Sequence, residues 1–311
     1  MKVIYDIDRW EGDSLVATIG FFDGVHPGHR YLLQEMRKMA GERGLSSAVI
    51  TFTTHPRVVL QADYQPKLLN SFDERLEQLS KAGIDYVFIL DFTQSMAAIS
   101  AESFITGILH EKLHIKTLLI GYDHRFGRSR SEGFEHYVVY GRECGMEIIE
   151  ASPYSDGGVV VSSSVVRRLI ERGEVAEAAG LLGYNYCLKG RVVAGRKVGR
   201  TIGFPTANMA LDDRSKVLPA SGSYAVWIYC DGERYGGMLC IGTRPTVGGD
   251  DSLSIEANMF DFSGDIYDSF ITVEFVGYIR ENVKFASLDD LREQMHADRQ
   301  TAILQLSSFD Q

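Results

Sequence analysis

The sequence predicts an α/β chain of two domains, the first a parallel, doubly wound sheet and the second a small antiparallel β-barrel with a terminal helix. Three observations predict it. Strand and helix signals alternate up to about residue 183. Short, glycine-punctuated β segments follow. The length of 311 residues also suits two domains. We therefore place the domains at residues 1–183 and 184–311.

In the first half, apolar runs bounded by turn residues predict strands, and apolar residues at helical spacing predict the helices between them. The strands are predicted at Leu15–Phe22, Ser47–Phe52, Tyr86–Leu90, Thr117–Ile120 and Glu147–Glu150. One helix begins at about Pro27, and others are predicted at Asp73–Ala82, Ala101–Leu113, Ser131–Cys144, Ser163–Arg172 and Val175–Leu182. Ligands of such a sheet bind at the carboxyl ends of its strands.

In the second half, β-rich segments separated by glycines predict a barrel. They are Leu188–Val193, Ser223–Cys230, Tyr235–Ile241, Ser254–Phe262 and Phe270–Tyr278. An amphipathic helix, Leu288–Met295, is predicted after them.

Composition narrows the functional class. Hydrophobic residues make up 45% of the chain, enough for an ordinary core in each half. The formal net charge of −10 disfavours nucleic-acid binding, which needs a basic surface. No secretory leader and no membrane span are expected from the apolar runs. The four cysteines form no C-x-x-C pair, so we expect reduced thiols and a cytoplasmic protein.

The strongest local feature of the first half is the string GFFDGVHPGH at residues 20–29, between a predicted strand and a predicted helix. Pro27 suits the first helical position, which places His26 near the helix cap and His29 in the first turn. Free backbone N–H groups at a helix start form an anion site. Two histidines alone also suit a surface or capping role, and a zinc site lacks further ligands.

The full string resembles the H-x-G-H nucleotidyltransferase superfamily, and its F-D-G-V-H-x-G-H form resembles bacterial FMN adenylyltransferases. The resemblance implies a Rossmann-like nucleotidyltransferase domain in which His26 and His29 hold the ATP triphosphate and stabilise the transition state. It implies further ATP contacts from Gly20, Phe22, Asp23, Gly24, Gly28, Ser162, Ser163 and Ser164.

Two more strings carry the same resemblance. The string GYDHRFG at residues 121–127 is similar to the family's G-x-D-F-x-F-G, which implies a flavin or nucleotide loop containing Asp123, Phe126 and Gly127; His124 departs from the pattern. The string SSSVVR at residues 162–167 is similar to S-S-T-x-I-R, although such hydroxyls also serve as simple helix caps. Its Arg167 is implied to neutralise the leaving pyrophosphate, since a guanidinium clamps phosphates bidentately.

The second half opens with a glycine-rich segment, residues 190–208, that carries four basic residues and contains no Walker A motif. Its ending, GFPTAN at residues 203–208, resembles riboflavin kinases. The resemblance implies Mg²⁺ ligation by Thr206 and Asn208, whose neutral oxygens suit a cation that phosphates also hold. It implies ATP contacts from Gly195, Lys197, Gly203, Pro205, Thr206 and Asn208.

The segment SIEAN at residues 254–258 resembles the strand that carries the general base of riboflavin kinases. Alternation puts Glu256 and Asn258 on one face of that strand, and Asn258 replaces the family's usual histidine. Glu256 is implied to take the proton of the riboflavin 5′-hydroxyl. Arg280 and Phe285 resemble the family's flavin-side residues.

The resemblance covers nearly the whole chain, and it implies a bifunctional enzyme of the riboflavin kinase/FMN adenylyltransferase family. Riboflavin, FMN and ATP are the expected small-molecule partners, with Mg²⁺ as cofactor and with neither nucleic acid nor membrane. Three alternatives stay open: a chain in which only one activity works because of Asn258, another H-x-G-H transferase acting on pantetheine phosphate or nicotinate nucleotide, and a flavin-binding regulator without turnover.

Overall fold

The computed structural model describes residues 1–61, 63–122, 125–128, 132–154, 161–195, 199, 202–245 and 251–308. The chain forms two compact units. The first consists of Met1–Pro66 and Asn70–Ser162, and the second of Lys67–Leu69 and Ser163–Gln311.

The first unit is built on six parallel strands in the order β1-β4-β3-β2-β5-β6. The strands are β1 (Lys2–Ile4), β2 (Leu15–Ile19), β3 (Ser46–Phe52), β4 (Tyr86–Leu90), β5 (Ile115–Ile120) and β6 (Glu147–Glu150). Every residue of β2 is buried, as expected for the interior of a sheet covered on both faces. The predicted parallel α/β architecture is therefore confirmed.

The strand order reverses at β2, because the chain proceeds to β3 and β4 on one side and reaches β5 and β6 on the other. Open α/β sheets bind their ligands at such a switch point, outside the carboxyl ends of the strands. The loops that begin at Gly20 and Gly121 both leave carboxyl ends beside this point.

Helices connect these strands. They are α1 (Pro27–Arg43), α2 (Pro56–Leu60), α3 (Phe72–Lys81), α4 (Gln94–Ala97), α5 (Ala101–Ser103) and α6 (Phe134–Cys144), with a 3₁₀ turn at Ile7–Arg9. Local sequence explains their ends: Ser71 and Glu74 form a capping box at the start of α3, and Gly44 ends α1 in the left-handed region at φ 64°.

One predicted helix has a different form. The α-helix expected over Ala101–Leu113 begins behind Ser100, which accepts a hydrogen bond from the backbone N–H of Ser103 as a cap. It then continues as a π-helix over Phe104–Lys112. Apolar spacing does not separate the two helix types over so short a segment.

The second unit contains a closed antiparallel barrel with the strand order β10-β11-β8-β7-β12-β9. Its elements are α7 (Ser163–Glu171), α8 (Val175–Leu182), β7 (Cys187–Val193), β8 (Ala207–Leu211), β9 (Gly222–Cys230), β10 (Glu233–Pro245), β11 (Asp251–Met259), β12 (Phe270–Arg280) and α9 (Leu288–Ser307). The predicted barrel with a terminal helix is confirmed, and α9 is longer than the predicted Leu288–Met295.

Helices α7 and α8 pack against the barrel. Val166, Ile170 and Leu182 belong to the same buried cluster as Val226 and Phe275 of the barrel strands. The sequence had placed these two helices in the α/β half, because they continue its helical periodicity. The boundary at residue 183 itself stays a prediction.

Two strands, β1 and β8, were not predicted. The first is only three residues long, and none of its residues is buried. The second begins at Ala207, near the end of the GFPTAN segment, where the preceding glycine and proline obscure the start of a strand.

Candidate active sites

The turn that follows β2 is strained. Phe22 and Val25 have positive φ angles of 57° and 34°, which residues with a side chain rarely adopt, and Gly24 has φ 84°. Both apolar side chains are buried, and a Cβ added at Gly20 would lie 3.1 Å from the Phe22 ring. The surrounding core thus holds the turn in a conformation that is costly in isolation.

The turn delivers His26 to the N-cap of α1, with Pro27 as the first helical residue. The side chain of His26 makes no capping hydrogen bond. A Cβ at Gly28 would lie 3.2 Å from its ring, so the glycine gives the imidazole room over the helix start. The first N–H groups of a helix have no partner within it, and they favour an anion at this position.

His26 and His29 form a stacked pair, with ring centroids 3.8 Å apart and an interplanar angle of 20°. The Phe22 ring meets His29 edge-on at 5.3 Å. Burial, and secondarily the neighbouring His26, lower the pKa of His29 well below its usual value near 6.5. His29 is therefore neutral at pH 7 in the free protein, and the two sequence-predicted histidines lie together.

The carboxylate of Asp23, in the same turn, is buried and accepts a hydrogen bond from the backbone N–H of Asn70 at 3.1 Å. The structure thus shows Asp23 as an anchor of the turn. Its predicted contact with ATP stays a prediction.

The loop after β5 is also tied to the core. The Phe126 ring stacks on Tyr137 at 4.2 Å, and the Tyr137 hydroxyl donates to the carbonyl oxygen of Phe126 at 3.0 Å. Gly127 has φ 88°, and a Cβ there would lie 2.8 Å from the backbone nitrogen of Ala101. The predicted loop residues Asp123 and His124 lie outside the described residues.

The string at residues 162–167 spans the start of α7, whose first residue is Ser163. The guanidinium of Arg167 donates to the Ser164 hydroxyl at 3.5 Å, one helical turn back. Ser162 belongs to the first compact unit, and Ser163, Ser164 and Arg167 belong to the second.

In the barrel, the register of β8 and β11 assembles the second candidate site. Glu256 lies directly opposite Asn208. The Thr206 hydroxyl donates to one carboxylate oxygen of Glu256 at 3.4 Å, and the Ser254 hydroxyl donates to the other at 3.1 Å. Three residues predicted for this site, Thr206, Asn208 and Glu256, therefore lie together.

The alternation predicted for β11 agrees with the structure. Ile255 and Ala257 are buried in the barrel core, whereas Glu256 and Asn258 occupy the opposite face. The side-chain amide of Asn258 donates to the carbonyl oxygen of Pro205 at 2.8 Å. Asn258 thereby holds the turn before Thr206 against β11.

The structure describes both glycines that are predicted to contact ATP in the second half, Gly195 and Gly203. A Cβ at Gly195 would lie 1.9 Å from the Asn208 side-chain nitrogen. Any residue other than glycine would therefore clash with the Asn208 amide and displace it. Gly203 has φ 84°, which favours glycine. Lys197 lies outside the described residues.

The predicted flavin-side residues are near one another. Arg280 makes a forked contact with the buried Asp298, from Nε at 2.9 Å and from Nη2 at 2.8 Å. Its guanidinium lies 5.6 Å from the Phe285 ring centroid. The ion pair fixes Arg280 to α9, and whether Phe285 contacts flavin stays a prediction.

The sequence did not predict the roles of three residues that support the two sites, Arg75, Asn70 and Ser254. Arg75 lies in the predicted helix Asp73–Ala82, and a charged residue in a helix is ordinarily exposed to solvent. Nothing in the local pattern distinguishes Asn70 or Ser254 from other polar residues, since their roles depend on contacts with the turn after β2 and with Glu256.

Three further observations bear on the class of protein. Within the described ranges, no group of three or more His, Cys, Asp and Glu side chains is placed to hold a metal ion. All four cysteines carry free thiols. Among the helices that the structure describes, none is long and apolar enough to cross a membrane.

The two sites define a class: a transferase with one anion-binding α/β site and one barrel site centred on a carboxylate. Comparison with known families identifies the family within this class. A family model described as FAD synthetase matches residues 9–165, and one described as riboflavin kinase matches residues 182–306. The chain belongs to the bifunctional riboflavin kinase/FMN adenylyltransferase family, and the family predicted from the sequence is confirmed.

Curated relatives of that name match almost end to end. The Escherichia coli K12 protein is 39% identical over 97% of this chain and 96% of its own length. The Listeria monocytogenes protein is 35% identical over 96% of each. A crystal structure described as a macrolide-efflux protein from Streptococcus pneumoniae is 32% identical, with a TM-score of 0.87 over 97% of this chain and 98% of that one.

Proposed function

We propose that this chain makes FAD from riboflavin in two ATP-dependent steps, phosphorylation in the barrel and adenylyl transfer at the α/β site. Both activities are those of the family to which the chain belongs. The observation that carries the assignment is the hydrogen-bonded set of Thr206 and Glu256 in a chain that also holds the stacked His26 and His29.

In adenylyl transfer, a phosphate oxygen of FMN attacks the α-phosphorus of ATP, and the bond to the departing pyrophosphate breaks. Such a step needs positioning and charge stabilisation and no protein nucleophile. His26 and His29 lie at the helix start, where backbone N–H groups add to their effect on phosphate oxygens. Neutral His29 carries one N–H donor for the triphosphate, and Arg167 is proposed to neutralise the leaving pyrophosphate.

In the kinase step, Glu256 is proposed to accept the proton of the ribityl 5′-hydroxyl as that oxygen attacks the γ-phosphorus and ADP departs. The hydrogen bonds from Ser254 and Thr206 orient the carboxylate for this role. Arg280 and Phe285 are proposed to face the flavin, at the side of the site where Asp298 holds Arg280.

The donor set beside Glu256 suits magnesium. Thr206 and Asn208 would offer neutral oxygens to a hard cation that ATP phosphates would also bind, and such a cation needs few protein ligands. Bound Mg²⁺ neutralises charge that develops on the phosphates. The protein holds the ligand pair in place through the contact of Asn258 with Pro205 and through the space left by Gly195.

The proposal also includes a cytoplasmic location for the protein. Free thiols at all four cysteines support a reducing, cytoplasmic location. The formal charge of −10 supports small anionic substrates bound in local sites and disfavours nucleic acid.

The proposal is tested by incubating the purified protein with ATP and Mg²⁺ and with either riboflavin or FMN, and by separating the flavins. We expect FMN and then FAD from riboflavin, and FAD alone from FMN. FAD from FMN with no FMN from riboflavin would support a chain with one working site, which the matches over both domains do not favour. Unchanged ATP in both tubes would support a flavin-binding regulator. Turnover of pantetheine phosphate or nicotinate nucleotide in place of FMN would support another transferase.

A further inference from the structure

A charged residue lies in the interior of the first unit, close to the turn that carries His26. The side chain of Arg75, on α3, is only 1% exposed. Removing a guanidinium from water is unfavourable unless partners replace the lost hydration. The partners of Arg75 therefore indicate what the buried charge does.

Arg75 touches the ends of two neighbouring strands. Its Nη2 donates to the carbonyl oxygen of Phe52, the last residue of β3, at 2.5 Å. Its Cζ lies 3.9 Å from the ring centroid of Phe21, which follows β2. A guanidinium at this distance from an aromatic ring makes a cation–π contact that burial strengthens.

The charge of Arg75 also acts on the turn itself. Burial lowers the pKa of Arg75 to about 10, and the carboxylate of Asp23 acts in the opposite direction. Arg75 is thus a cation at neutral pH, attracted to Asp23. Asp23 in turn accepts the backbone N–H of Asn70, just before the capping residue of α3.

These contacts bracket the strained segment. Phe21 and Asp23 flank Phe22, whose φ is 57°, and Gly24 and Val25 follow with φ angles of 84° and 34° before His26. Residues in sparsely populated backbone regions persist only where the surroundings determine them. Arg75 thus contacts Phe21 directly through the cation–π pair, and it acts on Asp23 through its charge.

We propose that Arg75 is a positioning residue for adenylyl transfer, which fixes Phe21 and Asp23 and thereby the backbone that places His26 and His29. The inference rests on the proposed function of the α/β site. In this mechanism Arg75 acts on the two histidines indirectly, through the backbone of the turn.

The test replaces Arg75 by methionine, which keeps an unbranched buried side chain and removes the charge and the donors. Steady-state FAD formation from FMN and ATP is measured beside FMN formation from riboflavin by the same protein. We expect Arg75→Met to lower the kcat of adenylyl transfer by at least about tenfold, because small displacements of reacting groups are costly. The KM for ATP and the kinase rate should stay close to those of the wild type.

Two further variants separate positioning from stability. Ile148→Ala, on the edge strand β6, removes a buried side chain two strands away from β2 and should lower the melting temperature. Below its melting temperature it should keep the wild-type kcat. Arg75→Lys keeps a positive charge but lacks the planar guanidinium whose Nη2 donates to Phe52, and it should recover part of the lost kcat.

The outcomes are distinct. A wild-type kcat in folded Arg75→Met would overturn this inference alone. An equal loss of kcat in Arg75→Met and Ile148→Ala at matched folded fraction would also overturn it, since it would show a purely structural role. A wild-type protein that makes no FAD from FMN would overturn the proposed function, and this inference with it.

Discussion

Glu256 accepts hydrogen bonds from two hydroxyl groups, those of Ser254 and Thr206, which fix the orientation of its carboxylate. A general base contributes about 10²- to 10⁴-fold to a rate. Glu256→Gln keeps the shape and removes the proton acceptor, so we expect kinase turnover to fall by about that factor while FAD formation from FMN persists. Glu274→Gln, on β12, is the matched control and should leave both rates unchanged. Equal kinase turnover in the two variants would refute the assignment of Glu256.

His29 gives a prediction about stability and pH. Its pKa is depressed in the folded protein by burial and by His26, so the unfolded chain binds a proton more readily. The folded state therefore loses stability as the pH falls below the ordinary histidine value of about 6.5, and the penalty is absent above it.

We expect His29→Gln to reduce the drop in the melting temperature of the first unit between pH 7.5 and pH 5.5, as measured by calorimetry. His136→Gln, at an exposed position on α6, is the control and should follow the wild type. An equal drop in wild type and His29→Gln would show that His29 is not held neutral by the fold.

At the scale of elements, Gly195 lies at the start of the segment that follows β7, where the chain passes close to Asn208 of β8. A Cβ at this position would lie 1.9 Å from the side-chain nitrogen of Asn208 and would displace that amide. Gly195→Ala should therefore raise the Mg²⁺ concentration needed for half-maximal kinase activity and lower kcat/KM by about 10- to 100-fold. Adenylyl transfer by the same protein should not change.

The control for that experiment is Gly180→Ala, in α8, where an added Cβ meets no atom within 4 Å. It should stabilise the protein by up to about 1 kcal/mol, because alanine favours a helix over glycine. The same magnesium dependence in Gly195→Ala and in wild type would argue against Asn208 as a ligand.

The elements also show which parts of the structure a sequence can predict. The start of helix α1 and the bounds of strands β3 and β4 were predicted to within a residue, since their signals are encoded locally. The π-helix at Phe104–Lys112 and the strand β8 depend on packing and pairing partners far along the chain. The residues of the two candidate sites could be singled out in the sequence because they stand in specific motifs.

Arg75 shows the opposite case. Its environment is made by Phe21, Asp23 and Phe52, which lie 23 to 54 residues earlier in the chain, and only the folded sheet brings them to α3. A local pattern predicts an exposed helix position there, so its role was not visible in the sequence.

At the scale of the whole molecule, a formal charge of −10 accompanies two sites for anionic substrates. We propose that nucleotides bind through local features, namely the start of α1 with its histidines and the basic residues that precede β8 in the sequence. Each site is assembled from its own elements, so changes in one should leave the other's chemistry intact.

The independence of the sites leads to a mixing experiment. Glu256→Gln should make FAD only from FMN, and His29→Ala should make only FMN from riboflavin. A mixture of the two variants should therefore form FAD from riboflavin, since FMN released by one protein is a substrate for the other.

The most direct test of this account is a chromatographic time course with riboflavin, ATP and Mg²⁺, run on the wild type, on each variant and on their mixture. The account predicts FMN followed by FAD in the wild type, FMN alone with His29→Ala, neither product with Glu256→Gln, and FAD again in the mixture. Loss of both activities in either folded variant, or a wild type that yields no FMN, would contradict the assignment of two separate transfer sites to one chain.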